Sequence, residues 1–83
     1  MTNPIIMQMQ IDLQKAKKDY QEHELKAMRL ITELQSYASP YFTSPDELEA
    51  ERIEQIGDEL LIVKERLIEI QKRINTLKNE LGG

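Results

Sequence analysis

The sequence predicts an all-α fold: an antiparallel two-helix coiled-coil hairpin that dimerises into a four-helix bundle. Three observations carry that expectation. From Ile53 to Leu81, apolar residues recur at alternating steps of three and four: Ile53, Ile56, Leu60, Val63, Leu67, Ile70, Ile74, Leu77 and Leu81. The same ladder fills the N-terminal half, through Ile6, Met9, Leu13, Ala16, Tyr20, His23, Ala27, Leu30, Leu34 and Tyr37. Between the ladders stand Pro40 and Pro45, which one continuous helix holds only at severe cost. A helix with an unbroken apolar seam needs a partner, and the nearest is the other half of the chain.

The elements follow in order. Helix one is expected over residues 4–38, with Thr2 or Asn3 as N-cap and Pro4 at the first helical position, where its missing N–H costs nothing. A loop is expected over 39–44. Helix two is expected over 45–81, opened by the capping box of Ser44, Pro45 and Glu47 and closed by Gly82 and Gly83. Asp46, Glu47 and Glu49 complement the positive helix N-terminus. Roughly 35 residues at about 1.5 Å each make every helix around 50 Å long. The short connection makes the two antiparallel neighbours within a single domain, 1–83.

A register pairs ladder positions: Leu30 with Ile53, Ala27 with Ile56, His23 with Leu60, Tyr20 with Val63, Ala16 with Leu67, Leu13 with Ile70, Met9 with Ile74 and Ile6 with Leu77. Small residues then face large ones at Ala27 and Ala16. The flanking charges agree, since the same register sets Asp12 beside Arg73, Asp19 beside Arg66, Lys26 beside Glu59 and Glu33 beside Arg52. Each exposed pair contributes only ~0.2–1 kcal/mol, so these charges choose a register more than they stabilise it.

The opposite flank is apolar. It holds Met28, Ile31 and Ala38 on helix one and Ala50, Gly57, Leu61 and Ile68 on helix two, with Ile62 beside them. A lone hairpin leaves this stripe wet. Glycine inside a helix costs about 1 kcal/mol against alanine, so Gly57 suggests the close approach of another backbone. A second copy stacked on this face, in a C2 dimer, is the expected partner.

Composition narrows the function. The chain has 83 residues, a net charge of −4, 40% hydrophobic and 31% charged residues, and no cysteine. Disulfides and thiolate metal sites are excluded, and the acidic balance argues against generic nucleic-acid or anionic-membrane binding. No basic leader and no apolar run of spanning length is present, so the expected location is the cytoplasm, or the host cytoplasm for a viral chain.

No catalytic, cofactor-binding or metal-ligating residue is assigned. His23, the only histidine, lies in the seam, and Tyr20 stands where a Glu-x-x-His di-metal motif needs glutamate. Glu47, Glu51, Glu54 and Asp58 form an acidic stripe that could hold magnesium, similar to the acidic helices of all-α nucleotide pyrophosphohydrolases, but a solvated face explains it as well. IEQIGDELLIVKER, Ile53 to Arg66, resembles the first helix of AroQ-type chorismate mutases. Its arginine spacing is one residue short of that family's pattern, and no residue role is carried over.

Lys15, Lys17, Lys18, Lys26 and Arg29 make helix one locally basic. In size and topology the chain resembles the plasmid copy-number regulator Rop, a short hairpin that dimerises and binds RNA. At the tip, Tyr41 and Phe42 are the expected contact for a protein partner, while Tyr37 plugs the bundle end. The leading expectation is a non-enzymatic, self-associating assembly or adaptor protein, or a small chaperone-like one, with a protein client. An RNA-binding hairpin comes second and a metal-dependent hydrolase third.

Overall fold

A computed structural model of the chain describes residues 3–38 and 49–82. Two helices, α1 (Pro4–Ala38) and α2 (Ala50–Glu80), lie side by side in a rod measuring 67 × 16 × 16 Å. Their direction follows from the ion pairs that cross between them. Arg52 near the start of α2 reaches Glu33 near the end of α1, and Arg73 near the end of α2 approaches Asp12 near the start of α1. The helices are therefore antiparallel, as the hairpin reading requires.

The start of α1 is capped from the sequence. The Asn3 side-chain oxygen accepts a hydrogen bond from the Ile5 N–H at 2.9 Å, and the Asn3 carbonyl accepts the first helical bond, from the Met7 N–H, at 3.0 Å. Asn3 is thus the N-cap, and Pro4 occupies the first position, where no donor is needed. At the far end, the Leu81 N–H donates to Leu77 and the Gly82 N–H to Asn79. Gly82 takes φ +84°, the left-handed conformation that a helix-ending glycine adopts without a Cβ penalty.

The start of α2 departs from expectation. The helix opens at Ala50, not at Pro45, because Glu49 stands at φ −84° and ψ 73°, outside the helical region, and no side chain caps that end. Helices persist mainly where packing covers an apolar face, and Arg52 and Ile53 are the first residues of α2 to be partly covered. The predicted loop and the Ser44, Pro45 and Glu47 capping box lie outside the described residues.

The buried residues are all ladder positions: Ala16 and Leu30 on α1, and Ile56, Val63, Ile70, Ile74 and Leu77 on α2. No polar or charged residue is buried among those described. The core forms two clusters. Ala16 groups with Ile70 and Ile74, flanked by Leu13 and Tyr20. Leu30 groups with Ile56 and Val63, flanked by Ala27, Leu34, Tyr37, Leu60 and Leu67. Ala16 thus shares its cluster with Ile70 and Ile74, and Leu30 shares its own with Ile56 and Val63, with the expected rung Leu67 partly buried between the two groups.

Ile6 is a further correction. It was expected to pair with Leu77, yet it is exposed while Leu77 is buried.

Candidate interaction surface

The apolar flank is exposed along its described length. Met28 is 58% exposed, Ile31 45%, Leu61 56% and Ile68 47%, and Ala50 and Gly57 are also open to solvent. Ala38 closes α1 at this flank by sequence position alone. Between the helices on this side runs a groove of about 420 Å³, walled by Tyr20, Ala27 and Ile31 of α1 and by Leu60, Leu67 and Ile68 of α2. The three-four ladder places Ile31 and Ile68 at the edge of the seam, where they flank the groove rather than fill it. The stripe borders the groove, with Lys64 on the groove wall and Glu54 between Ala50 and Gly57 on α2. Soluble monomers rarely leave several large apolar residues wet on one side, which makes this side the candidate interaction surface.

Gly57 sits in this surface. A Cβ built on it would meet nothing within 4 Å. No contact within the hairpin therefore calls for glycine there, and the local helix would gain about 1 kcal/mol from alanine. Gly57→Ala is accordingly expected to raise the melting temperature of the dilute hairpin. Calorimetry finding a lower temperature would mean that the backbone at Gly57 is already strained.

The charged flank organises around Arg52. Its Nε donates to Glu33 Oε1 at 2.7 Å and its Nη2 to Glu33 Oε2 at 2.9 Å, the two-pronged geometry in which guanidinium and carboxylate match best. Glu59 adds a second carboxylate at 3.9 Å. The hydrogen bond that Arg52 donates to Glu33, with the nearby negative charge, raises the Arg52 pKa further above its already high ordinary value. The guanidinium is therefore charged at every pH at which the protein folds. Glu33→Gln is expected to lower the melting temperature by a few degrees at low salt. The loss should shrink as the screening length falls from about 10 Å at 0.1 M salt to about 3 Å at 1 M. A salt-independent loss would assign the effect to packing instead.

Of the four predicted cross-helix pairs, two form: Glu33 with Arg52, and Asp12 with Arg73 at 4.0 Å. The other two give way to nearer partners. Arg66 pairs with Glu69 one turn along its own helix, Asp19 with His23, and Glu59 with Arg52. Exposed pairs differ by only tenths of a kcal/mol, so a neighbour on the same helix competes on equal terms.

His23 is partly covered, and its Nδ1 lies 2.8 Å from the Asp19 carbonyl oxygen and 3.1 Å from an Asp19 carboxylate oxygen. Asp19, one turn earlier, thus satisfies and orients the ring. Glu51, Glu54 and Asp58 are exposed, and no group of three or more His, Cys, Asp or Glu among the described residues could hold a metal ion. Glu47, the first residue of that acidic stripe, lies outside the described residues. Lys15 shares a shallow mixed-charge cleft with Asp12, Asp19 and Arg73, so the basic segment of α1 is partly neutralised by its neighbours.

Tyr37 packs against the Leu30, Ile56 and Val63 cluster, as expected of a plug at the bundle end. Tyr41 and Phe42 lie outside the described residues. No described helix is long and apolar enough to cross a membrane. Outside the ladders and the flank, Ile5, Met7, Ile11 and Leu25 of α1 are also exposed, and Met7 and Ile11, one turn apart, line one shallow hollow.

The molecule is a two-helix hairpin with one exposed apolar flank. Comparisons with protein-family models, with curated proteins and with solved structures find no match.

Proposed function

We propose that this chain is a non-enzymatic assembly or adaptor protein of the cytoplasm, a helical hairpin that self-associates through its apolar flank and binds a protein partner. One observation carries the reading: Met28, Ile31, Leu61 and Ile68 stand exposed together on one side of the rod, on both helices. Two hairpins stacked on that side make a four-helix bundle and remove the stripe from water. The flank offers apolar contact and shape rather than a convergent set of reactive groups, which suits recognition better than catalysis. The tip residues Tyr41 and Phe42 extend the reading to a client, since aromatic residues are favoured anchors at interfaces.

Sedimentation tests the association and affinity capture tests the client. Gly57→Leu is expected to weaken the dimer by overpacking, costing about 1–3 kcal/mol, while circular dichroism shows helicity retained. An undisturbed dimer would remove this face from the interface. Tyr41→Ala combined with Phe42→Ala is expected to lose a partner that the wild type retains from native lysate. Equal recovery by both forms would take the tip out of the proposal.

A second reading, an RNA-binding hairpin of the Rop kind, draws on exposed Lys15, Lys17 and Lys18. It requires retardation of a hairpin RNA in a gel with steep salt dependence. Unaltered mobility at low salt would eliminate it.

A further inference from the structure

The apolar flank of α2 is a ladder of its own. Ala50, Glu54, Gly57, Leu61, Lys64 and Ile68 follow one another at steps of four and three, and all six are exposed. The first three rungs read small, acidic, small; the last three read large, basic, large. Turned end for end about Glu59, the ladder meets its own complement: Ala50 falls on Ile68, Glu54 on Lys64 and Gly57 on Leu61. Each pairing occurs twice in a two-fold dimer.

The rod as a whole is polarised the same way. Residues 21–38 and 49–63, the half toward the connection, carry three Lys or Arg against eight Asp or Glu, a net −5. Residues 3–20 and 64–82, the half toward the termini, carry eight against five, a net +3. Stacking two copies head to tail sets each negative half on a positive one. Stacking them head to head lets Glu24 reach Lys64 of the other copy, but it superposes the two negative halves. Packed helices sit 8–10 Å apart, about one screening length at 0.1 M salt, so this difference survives in solution.

Resting on the self-association proposed above, we propose that the occupant of the apolar flank is a second copy stacked antiparallel, α2 against α2, with the two-fold axis passing near Glu59 and Gly57 lying under Leu61 of the other copy. Gly57 then has its reason: the large Leu61 side chain needs the room that a Cβ would take. The groove agrees, because Ala27 and Ile31 share it with Leu60, beside the axis, so Met28 and Ile31 of each α1 also fall near the centre of the interface.

The chain has no cysteine, so single introduced cysteines report orientation directly. Ala50→Cys and Ile68→Cys proteins are oxidised in air with a copper catalyst, each alone and after refolding as a mixture. The mixture is expected to give several-fold more covalent dimer than either protein alone. Preferential cross-linking in a mixture of Gln21→Cys and Ile68→Cys, which lie far apart along the rod in the antiparallel stack, would instead establish the head-to-head stack; it would overturn this orientation and leave self-association standing. A wild type that sediments as a monomer at every concentration would overturn both.

Charge reversal gives a second readout. Glu54→Lys or Lys64→Glu alone is expected to weaken the dimer several-fold, and the two together in one chain to restore it. Failure of the double variant to recover would overturn the Glu54–Lys64 pairing.

Discussion

Ile56→Ala is expected to destabilise the hairpin by about 2–5 kcal/mol, enough to unfold a large fraction of it at ordinary temperature. Ile56 is the only described large side chain with no exposure (0%), and it anchors the cluster that joins Leu30 to Val63. The substitution removes buried methylenes and leaves a cavity between two helices that have few other contacts with which to close it. Seven buried residues make up the described core, so one of them represents a large share of the whole. Chemical denaturation at fixed protein concentration measures the loss. A change below about 0.5 kcal/mol, the level of a surface substitution, would mean that the seam is not what holds the rods together.

Leu61→Glu with Ile68→Glu is expected to dissociate the dimer while leaving each hairpin folded. Both side chains are roughly half exposed in the single hairpin, so neither supports its seam. In the stacked pair the exposed half of each would be buried, contributing about half of the ~1.5–3 kcal/mol of a full burial. Losing both from one copy comes to about 1.5–3 kcal/mol, or about one to two decades in Kd. The pairing of copies doubles the number of contacts affected. Sedimentation and circular dichroism together separate the outcomes: helical monomers are expected, and an intact dimer would place the interface elsewhere.

Much of the fold was legible in the residues themselves. Three-four spacing decides which face of a helix is apolar, and every buried residue sits on the ladder it defines. Asn3 and Pro4 stated the start of α1 because capping chemistry is local. Gly82 stated the end of α2 for the same reason. Spacing says less about rungs: it sets Ala16 on the face toward α2 but leaves Leu67 and Ile70 equally placed to meet it. The opening of α2 was misplaced because a capping box describes how a helix would begin, whereas cover from α1 decides where it does begin.

The candidate surface was half legible. Periodicity exposed the flank of Met28, Ile31, Leu61 and Ile68, since a second apolar stripe has no place in a two-helix seam. The pair of Glu33 and Arg52 was foreseen, but the approach of Glu59 to the same guanidinium was not. Surface carboxylates choose among guanidiniums by margins smaller than pattern reasoning resolves, and Glu59 had an equally good expected partner in Lys26. Ile5, Met7, Ile11 and Leu25 fall outside both the three-four ladders and the flank, so the periodicity that defines the seam gave them no place.

Sedimentation equilibrium of the wild-type chain, from micromolar to millimolar concentration, bears most directly on the claim that two amphipathic rods fold back on each other and leave an apolar side for a second copy. The account expects the weight-average mass to climb toward twice the 9.7 kDa chain mass and to stop there. A mass that stays at that of one chain throughout, with Leu61 and Ile68 in water, would contradict it.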